Sequence, residues 1–193
     1  MKIDKNATWL QWIAPEKFND KDLFRIVIFF VFHCPCEGVS AMGKSLDEYN
    51  WHEPWSKPFY LNTQLKQVSS SNKLIYSSDT YDELDEKLVE ANLAENFPSD
   101  FNTERIAIYK NNGNQFMSIF YHIRNAFAHG RLNMVDVKGE CVFVLEDVSP
   151  RNKNVSARMI LRKSTLLKWI DIIEGGEKEI QYKKSSKKKK AKK

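Results

Sequence analysis

The segment 119–133, IFYHIRNAFAHGRLN, brings together His122, Arg124, Asn125 and His129, two of the four histidines in the chain flanking an arginine. These residue types suit work on a phosphate. A guanidinium offers a planar fork of donors that matches two phosphate oxygens and stabilises charge building on them. An imidazole exchanges a proton near neutral pH and serves as general base or acid. Asn125 contributes a donor and an acceptor between them. Tyr121 and Arg131 stand close enough along the chain to assist.

Something must hold these groups, and the pattern predicts a helix over 114–129 with Gly130 as its left-handed stop. At about 100° per residue, Phe116, Ile119, Phe120, Ile123 and Phe127 gather on one stripe and are expected to be buried. Ser118, Tyr121, His122, Asn125 and His129 gather on the opposite side, with Arg124 on the flank. That polar side carries no Lys or Glu, the usual filler of a solvated helix face. It is therefore expected to be open to a ligand or a partner subunit. His129 falls in the last turn, where the helix dipole favours a cation.

Other elements are legible around it. A helix is expected over 18–33, capped by Asn19 or Asp20, followed by a Pro-, Gly- and Trp-rich loop and a short helix in PFYLNTQLKQVS. TYDELDEKLVEANLAENF (80–97) reads as a helix opened by a Thr80/Glu83 capping box and ended by Pro98. After the central helix the period changes to two. LNMVDVKGECVFVLED alternates around Lys138-Gly139 as a β-hairpin, and SARMILRK makes a third strand. STLLKWIDIIEGG closes as a helix with Ser164 as cap and Gly175 as stop. The expected fold class is mainly α: a helical bundle with a small antiparallel sheet inserted late.

RNAFAH (124–129) has Arg, four residues, then His, with Asn directly after the Arg and the set ending an amphipathic helix. This resembles the signature of the HEPN superfamily of ribonucleases and RNA-binding proteins, in particular a bacterial, plasmid- or island-encoded branch with a hairpin after the motif helix. The resemblance covers about residues 80–175 and extends loosely over 1–79. It implies a HEPN-like helical bundle and a metal-independent endoribonuclease with no cofactor, acting as a toxin or anti-phage effector. It also implies catalytic roles for Arg124, Asn125 and His129. His122 lies outside that motif and reads as a neighbour or a second proton carrier; with Arg131 and Tyr121 it is an accessory candidate. RNA is the implied partner, with a homodimer through the motif helix and an inhibitor or antitoxin as further partners. Some relatives carry a Tyr two residues after the His as an antitoxin target, and here that position is Arg131. The alternative reading is a non-catalytic HEPN module that binds RNA or a protein.

Composition narrows the rest. The chain has 193 residues, enough for one domain with a real core, expected over 1–182. The eight lysines of the tail 183–193 exceed the whole-chain charge of +5, so the rest of the chain is net negative. The tail is either an attachment to an anionic polymer or a solvated, disordered end. The longest apolar run, LFRIVIFFVF, contains Arg25 and is half a membrane span; with no secretory signal visible, a cytoplasmic protein is expected. Three cysteines suit a reducing compartment. HCPC (33–36) with His52 lacks the spacing of a metal site, so no metal is expected. WHEPW (51–55) reads as packing rather than a base-stacking platform. Asp82, Glu83 and Asp85 read as helix-start charge, and no phosphate loop, dinucleotide fingerprint or Ser-His-Asp arrangement is present.

Overall fold

Asp20 caps the first helix as expected, accepting from the backbone N–H of Asp22 and Leu23. The computed structural model describes residues 20–36, 43–54, 56–69, 74–95, 98–111 and 113–177. Helix α1 (Lys21–Ile28) runs into a π-helical turn (Phe29–His33). A short 3₁₀ turn (Asp47–Tyr49) and α2 (Pro58–Gln67) follow, the latter opened by proline at its first position. Strand β1 (Ile75–Ser78), α3 (Tyr81–Glu90) and β2 (Arg105–Tyr109) precede the central helix α4 (Gln115–Ala128). Then come β3 (Leu132–Val137), β4 (Glu140–Val148), β5 (Val155–Arg162) and α5 (Lys163–Gly175). The lysine tail lies outside the described residues.

The expectation of a helical bundle is wrong. The strands form one mixed five-stranded sheet in the order β1-β2-β5-β4-β3, so the fold is mixed α/β. The expected hairpin and third strand are present, with Lys138 and Gly139 at positive φ in the turn. Two further strands, β1 and β2, pair in parallel and join β5 along its other edge. They turn a late hairpin into the central layer of the molecule.

Alternation along the strands feeds two cores. Ile106, Ile108, Phe143, Leu145, Met159 and Leu161 meet α1, α2, α4 and α5 on one face of the sheet. Ala107, Val142, Val144, Val155 and Ile160 meet Leu84 and Leu88 of α3 on the other. α3 is shorter than the predicted 80–97: it ends at Glu90, and Asn92 takes a left-handed conformation. Half of the capping box forms, with Glu83 N–H donating to Thr80 Oγ1, while the Glu83 carboxylate reaches the Asp79 N–H. α5 starts at Lys163 with no side-chain cap, because the Ser164 hydroxyl turns to the Glu140 carboxylate instead. Among the described residues no helix is long and apolar enough to cross a membrane.

α4 positions the motif. The Asn114 side chain caps it, accepting from Phe116 and Met117 N–H. Its C-terminus closes with Gly130 N–H on Phe127 O and Arg131 N–H on Ala126 O, a Schellman arrangement that needs the positive φ of Gly130. Glu146 N–H then donates to the Arg131 carbonyl, tying the helix end to β4. Phe116, Ile119, Phe120 and Ile123 are fully buried, and Phe127 is half-buried. The opposite face is only partly open: Ser118 and His122 are buried, Tyr121 and Asn125 are half-buried, and His129 is exposed. α4 is sandwiched, with its aromatic stripe against the π-helical turn and α5, and its small polar face against β2 and β4. The absence of Lys and Glu on that face reflects burial against the sheet.

Candidate phosphate-transfer site at the end of the central helix

His122 projects from α4 into the sheet. Its Nδ1 lies 2.7 Å from Asp147 Oδ2 on β4, and its Nε2 lies 2.8 Å from the Tyr109 carbonyl at the end of β2. Both partners offer only lone pairs, so satisfying both requires a hydrogen on each ring nitrogen. The pair is a buried histidine–carboxylate contact. Burial pushes the Asp147 carboxyl up; the hydrogen bond and charge of His122 and the amide of Asn125 outweigh that and hold it below its ordinary value.

The same carboxylate oxygen organises the motif. Asn125 Nδ2 donates to Asp147 Oδ2 at 3.1 Å, and Asn125 Oδ1 accepts from Arg124 Nη1 at 3.1 Å. This fixes the amide's orientation, since the flipped form would face a carboxylate with oxygen and a guanidinium with N–H. The result is a chain running His122, Asp147, Asn125, Arg124 from the interior outward. Arg124 is half-buried, and its Nε is buried without a hydrogen-bond partner. One guanidinium nitrogen is thus held by Asn125, and the buried Nε is left without a partner.

His129 is the C-cap of α4 and is exposed, and its ring makes no hydrogen bond to the described residues. The structure thus separates the two histidines. His129 is available to a substrate, whereas His122 is buried with both nitrogens engaged and stands as the anchor of the network. Tyr121 is half-buried and meets the His122 ring edge-on, with centroids 5.3 Å apart. Arg131 is half-buried, its Nη1 3.7 Å from Glu146 Oε1. Glu146 itself is taken by Arg158, whose Nε and Nη2 both approach it at 2.9 Å while Nη1 donates to the carbonyls of Leu93, Ala94 and Glu95 beyond α3. That set braces the opposite face of the sheet.

Sequence reasoning missed Asp147 and the Tyr109 carbonyl. One signal pointed to Asp147: LED continues a strand whose alternate residues are core, so an acid there needs a buried partner. Trp51 is buried and its indole N–H donates to the Ile173 carbonyl; Trp55 lies outside the described residues. Among the described residues no group of three or more His, Cys, Asp or Glu is placed to hold a metal ion, and His52 is an exposed neighbour of Asp47.

Comparisons with protein-family models, curated proteins and solved structures find no match to the chain. The chemistry of the site therefore rests on its own geometry and on the resemblance carried by Arg124, Asn125 and His129.

Proposed function

We propose that the chain cleaves RNA without a metal ion, using Arg124 and His129. The observation that carries this reading is the anchored arginine: Arg124 is held by Asn125, and Asn125 by Asp147, while His129 stays free on the exposed end of the same helix. His129 takes the proton of a ribose 2′-OH, and the 2′-oxygen attacks the adjacent phosphorus. The bond from phosphorus to the 5′-oxygen breaks, and that oxygen collects a proton from the imidazolium or from water. The products are a 2′,3′-cyclic phosphate and a 5′-hydroxyl. Arg124 lies against the phosphate and stabilises the charge of the transition state. Asn125, with both ends of its amide occupied, positions Arg124 rather than touching substrate.

The fold departs from the helical bundle that the resemblance implies, so the motif carries the proposal and the fold does not. The expected dimer across two motif helices would use the part of the polar face that β2 and β4 leave uncovered, at Tyr121, Asn125 and His129. The reading advanced here needs only one chain. Incubating the full chain with total RNA in EDTA tests it. Fragments that are lost in a His129→Ala control support the enzyme. Intact RNA with a retarded band on a native gel supports the alternative, a non-catalytic RNA-binding module.

A further inference from the structure

Cys34 and Cys36 follow the π-helical turn on either side of Pro35. Their Sγ atoms lie 3.4 Å apart, and both side chains are buried. The backbone brings them together. Cys36 N–H donates to the Cys34 carbonyl at 2.7 Å, a γ-turn about Pro35, whose ring holds φ near the value that turn needs. Cys36 Sγ also reaches the Met117 carbonyl on α4 at 3.8 Å. Buried thiols commonly act as small apolar packing groups. Packing alone does not require two of them sulfur to sulfur, and neither takes part in the arginine–histidine chemistry.

We propose that Cys34 and Cys36 form an oxidative modification site, closing to an intrachain disulfide on exposure to a hydroperoxide. Cys36 is the more accessible, at 7% against 0% for Cys34. It loses its proton, and its sulfur attacks one oxygen of hydrogen peroxide. The O–O bond breaks, leaving a sulfenic acid on Cys36 and one water. The Cys34 sulfur then attacks the Cys36 sulfur, the S–O bond breaks, and the second water leaves with the thiol proton. Two thiols and one peroxide become one disulfide and two waters. The sulfurs need close only from 3.4 Å to about 2.05 Å. Burial, and after it the bond that the Cys34 thiol donates to Cys36, pushes the Cys34 thiol well up, which keeps it from competing in the first step. The disulfide removes the hydrogen that Cys36 directs at Met117, so oxidation alters a contact on the helix that carries Arg124.

The test is peptide mapping of the full chain after hydrogen peroxide, with denaturation, alkylation by N-ethylmaleimide and trypsin digestion. Both sulfurs fall in the single tryptic peptide 26–44, and the third cysteine, Cys141, falls in 139–151. Peptide 26–44 should be lighter by two hydrogen atoms and free of label, and dithiothreitol before alkylation should restore two labels. Recovery of that peptide with two labels after peroxide would overturn the proposal, as would a sulfinic acid there or a cross-link to Cys141. In a Cys36→Ser chain, Cys34 should keep its label under the same treatment. Loss of that label would show that Cys34 is oxidised on its own and would overturn the pairing. The masses report this whether or not the chain cleaves RNA.

Discussion

His122 and Asp147, 25 residues apart in sequence, meet at 2.7 Å inside the sheet–helix interface. Both side chains are almost wholly out of solvent. The buried Asp147 carboxylate is balanced by its hydrogen bonds to His122 and Asn125. Removing His122 leaves it buried with much of that compensation gone. His122→Ala should therefore cost about 3–5 kcal/mol of stability, read by urea unfolding. A loss under about 1 kcal/mol, the scale of an exposed pair, would contradict the burial described here.

The same pair sets a response to acid. The Asp147 carboxyl is held below its ordinary value in the folded chain, so its contribution is present above the unfolded value of about 3.9 and is lost as pH falls through the lower, folded value. Asp147→Asn removes that titration. The variant should be less stable at neutral pH, and its stability should fall less steeply than that of the parent below about pH 4. Parallel acid limbs in the two proteins would count against the assignment.

The aromatic stripe of α4 makes a second stability prediction. Phe120 is fully buried, edge-on to Phe30 at 5.5 Å and near Trp169 at 6.0 Å. Phe120→Ala should cost about 3–5 kcal/mol. Phe127, half-buried and stacked on Phe30, should cost less. Equal losses at the two positions in chemical denaturation would mean that the burial difference has no energetic weight.

How far the sequence foretold this depends on the range of each interaction. Local signals were mostly reliable. Gly130, Asp20 and the Lys138-Gly139 turn act through neighbours within a few residues, and each element they mark is present, whereas Ser164 does not cap α5 and the helix expected over 80–97 ends at Glu90. β1 and β2 are only four and five residues long, too short for a clear period, and they exist because they pair with each other and with β5. Missing them produced the error of fold class. It also hid the cover over Ser118 and His122 on α4, since a polar helix face with no visible sheet to cover it reads as open. His122 is the sharpest case. Its spacing placed it beside Asn125 and His129, but only the distant Asp147 reveals that it supports the site from behind.

The electrostatic tail yields a prediction independent of the fold. Deleting 183–193 removes eight lysines. RNA binding should weaken, and the dependence of log affinity on log salt should become shallower, because fewer counterions are released. An unchanged slope would make the tail a bystander.

At the site, Arg124→Ala and His129→Ala should each reduce cleavage by about 10²–10⁴ without unfolding the chain. Acting on one phosphate, they should not add, so the double variant should be little worse than either single. Arg124→Lys should recover little, because a point charge cannot reproduce a two-pronged contact. Initial rates on a labelled RNA, with circular dichroism to check the fold, decide this. Additive losses would mean that the two groups serve separate steps.

The most direct test of the central claim is the chemistry of the cut ends. The purified chain is incubated with RNA in EDTA, and the product termini are identified by mass. The account predicts 2′,3′-cyclic phosphates and 5′-hydroxyls, formed without added metal and absent with His129→Ala. Cleavage that is silent in EDTA and restored by Mg²⁺ or Mn²⁺, or products ending in a 5′-phosphate, would contradict it.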